Sequence, residues 1–455
     1  MDIRHSVAAF FGQHNFDAES PTVNTVIDTL LYDMEEGLKR EPSVPAGTGP
    51  ALDMIPTWLM PPQQPPKNTS VIVIDAGGTN FRSCLVTFDE NSIPSISQLE
   101  RKPMPATDRE YSKAEFFETI ASYLDHLKNR ADSIAFCFSY AMKITPAGDG
   151  EVLQFSKEIK APEVIGSLVG QNLEAALMRR GWNKLKRIVL LNDTVAALLA
   201  GASTAIGGKK YDSYVGFILG TGMNAAYIEY QNIPKIASNG TGTVMLPAQI
   251  VVCESGKSNK QPRSDFDEVF TEKTAKPQMF WFEKMCSGAY LGSVASVVIR
   301  AAAADNLFSA GVKKALASIA DLPLIDVNRF LQAPYSDQTP LGLLLAGGTE
   351  DDREMLYRIL DALIMRTARL AAGNIAAAVI KTGKGKNPAL PVCILAEGTT
   401  FFKTHHLHET VIAHLYTALT QERGIYFDLV SLDNAITFGT AIAGTIEQCN
   451  NVTEV

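Results

Sequence analysis

The sequence lacks the features that mark disulfide-stabilised, membrane-spanning and nucleic-acid-binding proteins. Its six cysteines show no C-x-x-C spacing, and no segment approaches the ~20 uninterrupted apolar residues of a membrane span. A formal net charge of -8 argues against the concentrated basic face that grips nucleic-acid phosphates. We therefore expect reduced core thiols, no membrane or nucleic-acid partner, and a cytoplasmic location.

The composition is that of an ordinary globular chain. Of its 455 residues, 46% are hydrophobic and 20% are charged. A chain of this length can bury roughly two or three domain-sized cores. The more informative signal is therefore local and lies in the distribution of glycine.

A glycine-rich pattern occurs twice, in residues 71–88 and 214–230. In each copy an apolar, strand-like run enters a turn of glycine and threonine and then continues as a second strand-like run. The turn residues are Gly77, Gly78 and Thr79 in the first copy and Gly220, Thr221 and Gly222 in the second. Glycines without a Cβ let backbone N–H groups approach an anion, and the threonines add hydroxyl donors.

Both copies are predicted to be tight β-hairpins, because the residues after each turn keep strand composition and do not open a helix. One such hairpin alone is equally well explained as a structural β-turn. Two of them favour a clamp that holds a nucleotide polyphosphate between similar lobes. Asp75 leaves the apolar strand VIVI, where a carboxylate is costly to bury, and it suits a Mg²⁺-nucleotide site.

Strand-like and helix-like stretches alternate after the first hairpin, which indicates an α/β fold. Residues 22–40 carry an apolar stripe at helical spacing, and residues 352–380 are predicted to form a long, largely buried helix. Five prolines in residues 56–66 predict a semi-rigid connector. The run LPVCILA is predicted to be a buried strand ending in a further turn with Gly398 and Thr399.

Asp193 stands at a predicted junction between a strand and a helix. The apolar strand ends at Asn192, and Thr194 can begin the next helix. Open α/β sheets place their ligands at such junctions, so Asp193 is a candidate functional carboxylate. The alternative is a helix N-cap, a position for which aspartate is a preferred residue.

Nine sequence blocks then follow one another in a characteristic order. They are DMEEGLKRE, MIPTWL, VIVIDAGGTNFR, FCFSY, FSKEIKAP, VLLNDT, VGFILGTGMNAAYIE, FEKMCSGAYLG and AEGTT. In this order they resemble the hexokinase family over nearly the whole chain, and DAGGTNFR and GTGMNAAYIE are individually quite specific. The resemblance implies a two-lobed actin-like ATPase (ribonuclease H-like) fold with a ligand cleft between a small and a large lobe.

The resemblance also implies a reaction: transfer of the γ-phosphoryl group of ATP, with Mg²⁺, to the 6-hydroxyl of a hexose. Glucose is the first expectation, with mannose or fructose as others. Asp193 matches the catalytic base, and Lys157 matches the lysine that contacts the sugar and the transferring group. The matching sugar-binding positions are Ser139, Ser156, Lys157, Asn192, Asp193, Asn224, Glu254 and Glu283. The nucleotide-binding positions are Asp75, Gly77, Gly78, Thr79, Asn80, Arg82, Gly220, Thr221, Gly222, Gly398 and Thr399, with Asp75 reaching Mg²⁺ through water.

The sequence departs from the family pattern at three places. CESGKSNK, around Glu254, stands where the family commonly has a Glu-Trp-Gly run, and Ala141 stands where a proline is usual. DNAITFGTAIAG replaces the glycine-rich turn on the adenosine side, with Gly439 as the one glycine left at that turn. These changes bear on hexose preference, sugar affinity and nucleotide choice.

Two further signals have plain explanations. The histidines of HHLHETVIAH could suggest a metal site, but apart from Glu409 no nearby carboxylate or cysteine completes it. We therefore expect a solvated loop and helix start there. The basic stretch from Lys257 to Arg263 is likewise expected to be solvated loop.

Three other functions remain open from the sequence. A sugar-responsive transcription regulator would need a basic helix-turn-helix segment, whereas the first 70 residues show one amphipathic helix followed by prolines. A chaperone-like or filament-forming ATPase would keep the hairpins without needing Ser139, Lys157 and Asp193 together. A sugar-binding sensor with weak turnover is separated from an enzyme by its activity.

The hairpins and the proline connector predict where the lobes divide. We expect a small lobe of residues 63–193 and 437–455 and a large lobe of residues 1–62 and 194–436. The protein is expected to be a monomer or homodimer.

Overall fold

Two β-sheets, each flanked by helices, form the frame of the molecule. The computed structural model describes residues 2–41, 51–77, 79–155, 159–203, 209–237 and 248–446. The strands within these ranges are β1 (Ile55–Pro56), β2 (Thr69–Gly77), β3 (Asn80–Phe88), β4 (Pro94–Pro103), β5 (Ser133–Phe138), β6 (Ala141–Ile144), β7 (Gly150–Gln154), β8 (Arg187–Leu191), β9 (Ser213–Leu219), β10 (Met223–Glu229), β11 (Gln249–Val252), β12 (Val392–Glu397) and β13 (Phe427–Val430).

The two sheets repeat one topology. The five-stranded sheet has the order β4-β3-β2-β5-β8, and the six-stranded sheet has the order β1-β11-β10-β9-β12-β13. In both, an antiparallel hairpin (β2–β3 or β9–β10) is followed by two parallel strands on its other side. The predicted duplication of the glycine hairpins is therefore confirmed and extends to the whole sheet, with β1 added to the edge of the second.

The helices cover the faces of both sheets. They are α1 (Ile3–Gln13), α2 (Val23–Lys39), α3 (Lys113–Tyr123), α4 (Val169–Arg179), α5 (Asp193–Ser203), α6 (Pro234–Ala237), α7 (Asp265–Glu272), α8 (Trp281–Lys284), α9 (Leu291–Ala304), α10 (Ala310–Ala317), α11 (Leu324–Gln332), α12 (Pro340–Leu344), α13 (Glu350–Lys381), α14 (Thr399–Lys403), α15 (Leu407–Leu415) and α16 (Ala435–Thr445). The alternation expected of an α/β protein is confirmed. The proline-rich connector contributes one short element, β1, which pairs with β11.

The long helix α13 is the centre of the larger core, as its apolar sequence predicted. It begins with a capping box in which the Thr349 side chain and Asp352 bond each other's backbone N–H groups. Its length and composition would allow it to cross a membrane, but 89% of its most apolar window is buried inside the protein. A helix covered in this way is a core helix.

One charged pair is enclosed beside α13. The guanidinium of Arg366 donates to both carboxylate oxygens of Asp267 on α7, at 2.7 and 2.9 Å, and both side chains are only 3% exposed. Burial opposes ionisation of Asp267, yet the contact with Arg366 and the bonds from Ser264 hold the pKa of Asp267 below its usual range. A buried pair of this kind depends on both partners, because either charge alone would be left without compensation.

Helices α5 and α16 lie together between the two sheets. Helix α5 packs on β9 and β12 of the larger sheet, and α16 packs on α5 and on β2, β5 and β8 of the smaller sheet. The two sheets share a hydrophobic cluster with this helix pair, which includes Val71, Val195, Ile250 and Ala441. Because this helix pair contacts both sheets, a movement of one sheet relative to the other requires a change in the packing of α5 and α16.

Glycine permits the close approach at this helix pair. A Cβ at Gly439 of α16 would lie 1.7 Å from the carbonyl oxygen of Ala196 in α5. On the opposite side of α5, a Cβ at Gly216 of β9 would lie 2.1 Å from the carbonyl oxygen of Thr194. Backbone oxygens held in a helix cannot move aside, so both positions require glycine.

Candidate active site

Polar residues gather where strands of both sheets end. Asp75 lies near the end of β2, Ser139 directly follows β5, and Asn192 and Asp193 follow β8. In the other sheet, Glu254 follows β11 closely and Gly398 directly follows β12. Because open α/β sheets bind ligands beyond the carboxyl ends of their strands, these positions mark the candidate active site.

The first glycine turn joins β2 and β3, which pair as far as Gly77 and Asn80. The Ser139 N–H donates to the carbonyl oxygen of Ala76 at 3.0 Å, and a Cβ at Gly77 would lie 3.0 Å from the Ser139 Cβ. Thr79, Asn80 and Arg82 are exposed. The turn thus lies against Ser139 and leaves the side chains of Thr79 and Asn80 accessible to a ligand.

The second glycine turn is tied to two other segments by hydrogen bonds. Its Gly220 N–H donates to the Gly222 carbonyl at 2.9 Å. The Gly220 carbonyl accepts from the Gly288 N–H at 2.8 Å and from the Thr400 hydroxyl at 2.9 Å. The turn that carries Gly398 and Thr399 is therefore held directly beside the 220–222 turn.

The close approach of these two turns depends on a glycine with positive φ. Gly398 has φ of 121°, and a Cβ there would lie 2.2 Å from the Leu219 carbonyl oxygen. Thr221 and Thr399 are both exposed. Two glycine-threonine turns of the larger sheet therefore offer adjacent hydroxyls and backbone N–H groups.

Asp193 is the first residue of α5, and its neighbour Asn192 is the N-cap. The Asn192 carbonyl accepts the first helical bond, from the Ala196 N–H at 3.1 Å. The Asn192 side-chain oxygen accepts from the Thr194 N–H at 2.9 Å and from the Thr194 hydroxyl at 2.6 Å. The capping function that the sequence allowed for Asp193 therefore belongs to Asn192. The Asp193 carboxylate also accepts from the Thr194 N–H, at 2.8 Å.

Asp193 is electrostatically coupled to acids on both sheets. Burial, together with the negative charges of Asp75 and Glu254, raises the pKa of Asp193 to about 6, against the lowering effect of the Thr194 bond. Burial raises the pKa of Glu283 to about 7, with further contributions from Glu254 and Asp193. Asp75, Asp193, Glu254 and Glu283, which we call the acidic group, thus come together from distant parts of the chain. Perturbed carboxylates that influence one another are typical of catalytic sites.

The two glutamates of the acidic group are oriented by their neighbours. Asn224 donates to the Glu254 carboxylate at 3.0 Å, while its own side-chain oxygen accepts from the backbone N–H groups of Ala225 and Ser255. Glu254 has φ of 55°, in the left-handed region. Glu283 accepts from the Met223 N–H at 3.1 Å. A non-glycine residue held in this backbone region is common at ligand sites.

Comparison with known proteins identifies the family. The sequence model of the family described as "Hexokinase" matches residues 12–203 with one domain and residues 214–446 with a second. The chain belongs to the hexokinase family. The reaction of this hexokinase is accordingly the ATP-dependent phosphorylation of a hexose, and the sugar-binding sensor is not favoured.

Two of the similar hexokinases match over most of their length. The chain is 27% identical to Hexokinase-1 of Schizosaccharomyces pombe over 393 residues, which cover 82% of this chain and 78% of the relative. It is 27% identical to Hexokinase-3 of Arabidopsis thaliana over 392 residues, 81% of this chain and 75% of the relative.

A solved hexokinase structure shares the fold. The hexokinase of Schistosoma mansoni, complexed with glucose, superposes with a TM-score of 0.76 at 21% identity, covering 98% of this chain and 99% of the other. The predicted two-lobed actin-like ATPase fold is confirmed by this match.

A further set of residues lies behind the acidic group of this hexokinase, and no local sequence pattern indicated it. Lys257 forms an ion pair with Asp53, and both are largely buried. The Ser258 hydroxyl donates to buried Asp33 at 3.0 Å, and the Gln261 amide donates to Thr29 at 2.7 Å. The expectation of a solvated loop is therefore wrong for Lys257, Ser258 and Gln261, because partners more than 200 positions earlier, in and near α2, enclose them. Asn259, Lys260, Pro262 and Arg263 are exposed, as expected.

The structure brings together most, but not all, of the predicted site residues. Ser139, Asn192 and three members of the acidic group, Asp75, Asp193 and Glu254, lie at the strand ends described above. The fourth member, Glu283, lies in α8, and Asn224 is bonded to Glu254. Gly78, Ser156 and Lys157 lie outside the described residues. Their assignment stays a prediction.

Proposed function

We propose that this hexokinase transfers the γ-phosphoryl group of Mg²⁺-ATP to the 6-hydroxyl of glucose, with mannose and fructose as further substrates. The observation that carries the proposal is the position of Asp193. Asp193 begins α5 just after β8 of the smaller sheet, and its pKa is raised by burial and by an acid from each sheet, Asp75 and Glu254. A pKa of about 6 suits a general base near neutral pH, since the group is ionised yet still accepts a proton well.

The polar residues around Asp193 suit the binding of a sugar. Ring hydroxyls both donate and accept hydrogen bonds, and this set supplies both functions. We assign sugar binding to Ser139, Asn192, Asp193, Asn224, Glu254 and Glu283, together with Ser156 and Lys157 by their match to the family. Ionised Glu254 and Glu283 would accept from two hydroxyls, while the Asn224 amide bridges backbone and carboxylate.

We assign the nucleotide to the glycine turns. Gly77, Gly78, Thr79 and Asn80 would face the phosphates from one sheet, and Gly220, Thr221, Gly222, Gly398 and Thr399 from the other. The hydrogen bond from Thr400 to Gly220 supports this grouping, because it makes the last two turns one continuous surface.

The surroundings of Asp75 suit a magnesium ion. Its carboxylate is partly buried beside the like charge of Asp193, and its positive neighbour Arg82 stands 3.9 Å away. Burial raises the pKa of Asp75 despite Arg82, so a cation would stabilise the ionised form. We assign Mg²⁺ to Asp75, through water, where it would neutralise charge on the triphosphate.

The chemical step then requires little covalent work from the protein. Asp193 accepts the proton of the 6-hydroxyl as that oxygen attacks the γ-phosphorus, and the bond between the β–γ bridging oxygen and the γ-phosphorus breaks to release ADP. Arg82 and Lys157 would offset negative charge on the transferring group. Positioning and charge stabilisation supply the rate in this class of reaction.

Closure of the lobes would exclude water, which otherwise competes as the acceptor. We propose that residues 63–193 with 437–455 move as the small lobe against residues 1–62 with 194–436. The hinge would include α5 and α16, because this pair contacts both sheets. We also propose a reducing, cytoplasmic environment. The buried free thiols among the described residues support it: Cys84, Cys137, Cys253, Cys286 and Cys393.

The test is a coupled ADP-release assay with Mg²⁺-ATP and a panel of glucose, mannose, fructose, N-acetylglucosamine and no sugar. We expect turnover that depends on sugar, with the highest kcat/KM for glucose, and a product phosphorylated at the 6-position by NMR. Substituting Thr79→Val should raise the KM for ATP more than the KM for hexose. Sugar-independent ATP hydrolysis at the same rate, or a preference for another sugar, would overturn the assignment of substrate.

A further inference from the structure

The turn between α14 and α15 carries two adjacent histidines, His405 and His406. The local sequence lacks a suitable carboxylate for a metal site, but the fold supplies one from α13. The carboxylate of Asp361 and one nitrogen of each imidazole all lie within 4.8 Å of one another. Asp361 is 44 residues from His405 in the chain, so this cluster exists only in the folded protein.

The cluster is held in place by residues that do not belong to it. The His405 backbone N–H donates to the Asn328 side-chain oxygen at 2.7 Å, and the Asn328 amide donates to the Lys403 carbonyl at 2.9 Å. The rings of His405 and His406 are stacked with their centroids 3.8 Å apart. Helix α11 thus anchors the turn in the position that places both rings beside α13.

His405 makes a hydrogen bond through one ring nitrogen, which can leave the other nitrogen for a metal. Its Nε2 lies 3.1 Å from the hydroxyl oxygen of Tyr357, one turn before Asp361 on α13. When Nε2 carries the proton and donates to that oxygen, Nδ1 is left with a free lone pair. Metal-ligating histidines are commonly oriented by such a bond from the other ring nitrogen.

The charge states of the three groups also suit a cation. Burial, the main effect, and the neighbouring His406 lower the pKa of His405, which favours the neutral imidazole that binds metals. Burial raises the pKa of Asp361, while His405, His406 and Arg358 oppose this. Among the residues that the structure describes, none donates a hydrogen bond to the Asp361 carboxylate. A divalent cation would compensate this partly buried group more fully than a neutral imidazole does.

We propose that Asp361, His405 and His406 form a binding site for a divalent transition-metal ion, with Zn²⁺ as the best match. Two imidazole nitrogens and one carboxylate oxygen are ligands that zinc accepts in sites with an open fourth position. They are less suited to Mg²⁺ or Ca²⁺, which prefer oxygen ligands alone. Tetrahedral zinc with bonds of about 2.1 Å places its ligands about 3.4 Å apart, which a small rotation of exposed His406 can provide.

A metal at this cluster would join three elements of the large sheet's helical layer. Asp361 belongs to α13, and the histidines precede α15, which packs against α13. The same turn follows α14, whose first residue is Thr399. Binding would therefore fix the far end of the short helix that begins at the nucleotide turn.

The experiment titrates tag-free protein, stripped with a chelator and free of nucleotide, with Zn²⁺ against a chromophoric competitor. We expect one tight site per chain and an at least tenfold weaker Kd in His406→Ala and in Asp361→Asn. His408→Gln is the matched control, because this neighbouring histidine packs its ring on Phe401 and Phe402 instead. Its Kd should stay within twofold of wild type. Circular dichroism of the metal-free variants checks that each is folded.

A second measurement reports the ligands directly. Co²⁺ in place of Zn²⁺ should give the visible absorption of a four-coordinate ion in wild type and lose it in His406→Ala. Tyr357→Phe should weaken zinc binding roughly tenfold while the ligands remain, as the loss of an orienting partner does. Wild-type affinity in both ligand variants, equal loss in His408→Gln, or no binding by wild type at millimolar Zn²⁺ would each overturn the proposal.

Discussion

If Asp193 is the general base, Asp193→Asn should lower kcat and at the same time raise the stability of the folded protein. Asp193→Asn keeps a side-chain oxygen that can accept from the Thr194 N–H but removes the negative charge. Loss of a positioned base should lower kcat by roughly 10² to 10⁴, equivalent to about 3 to 5 kcal/mol of barrier. The same change should leave glucose binding nearly intact, because the amide still offers a donor and an acceptor.

The stability of this variant should rise. Since the folded protein raises the pKa of Asp193 to about 6, ionisation of this carboxyl opposes folding at neutral pH. Each pKa unit corresponds to about 1.4 kcal/mol, so a shift from the ordinary value of about 3.9 costs on the order of 3 kcal/mol. Asp193→Asn removes this cost and should raise Tm by a few degrees.

The gain in stability from Asp193→Asn should increase with pH. A carboxyl with a raised folded pKa is ionised in both states above about pH 6, where the full cost applies, and protonated in both below about pH 4, where none remains. The gain in Tm for Asp193→Asn should therefore be largest above pH 6 and should vanish towards pH 4. Calorimetry from pH 4 to 8 measures it, and the coupled ADP-release assay measures kcat.

A capping variant separates the two functions. Asn192→Ala removes the N-cap bonds to Thr194 and should lower the free energy of unfolding by about 1 kcal/mol, the opposite direction from Asp193→Asn. Near wild-type kcat in a folded, Mg²⁺-replete Asp193→Asn enzyme would refute the catalytic assignment. A loss of Tm equal to that of Asn192→Ala would refute the argument from burial.

Three other substitutions test the frame and the sugar site. Gly439→Ala should cost about 3 kcal/mol or more in urea unfolding, since its Cβ meets a helix backbone oxygen, whereas Gly12→Ala has open space and should gain up to about 1 kcal/mol. Because the pKa of Glu283 is about 7, we expect the glucose affinity of wild type to weaken as the pH falls from 8 to 6 in calorimetric titrations. Glu283→Gln should abolish this pH dependence. Arg366→Met should cost about 3 to 5 kcal/mol in urea unfolding, whereas Arg358→Met, which removes a more exposed pair on the same helix, should cost less than about 1 kcal/mol.

Each of these has an outcome that contradicts its reasoning. Similar stabilities of Gly439→Ala and Gly12→Ala would show that α16 can move away from α5. A glucose affinity that still falls with pH in Glu283→Gln would assign the titration to another acid of the group. Equal costs for the two arginine variants would show that the enclosed pair contributes no more than the surface pair.

Local patterns in the sequence were sufficient to predict the main secondary-structure elements of the fold. The two glycine hairpins, the apolar stripe of α2 and the long apolar helix α13 depend on turn chemistry and periodicity, which act over a few residues. The position of Asp193 at the end of a strand was predicted for the same reason. Residues of the family motifs then identified the reaction, because those motifs are short and specific.

The tertiary structure decided which residues share one environment. Asp193 and Asn192 are equally good caps in sequence, and only the hydrogen bonds assign the cap to Asn192 and leave the Asp193 carboxylate beside Asp75 and Glu254. The pairing of Lys257 with Asp53 joins positions 204 residues apart, which the local composition of a basic loop gives no means to foresee.

The turn with His405 and His406 shows most clearly the difference between what the local sequence predicts and what the tertiary structure decides. Its sequence supplied two adjacent imidazoles without a suitable carboxylate, and on that basis we expected a solvated loop. The carboxylate of Asp361 comes from α13, which packs against α15 through apolar side chains. That packing determines which polar groups at the border of the helix contact lie close to one another. Periodicity along the chain determines each helix separately, but the ligands, charges and pKa values at a site depend on distances in space, which the sequence by itself does not contain.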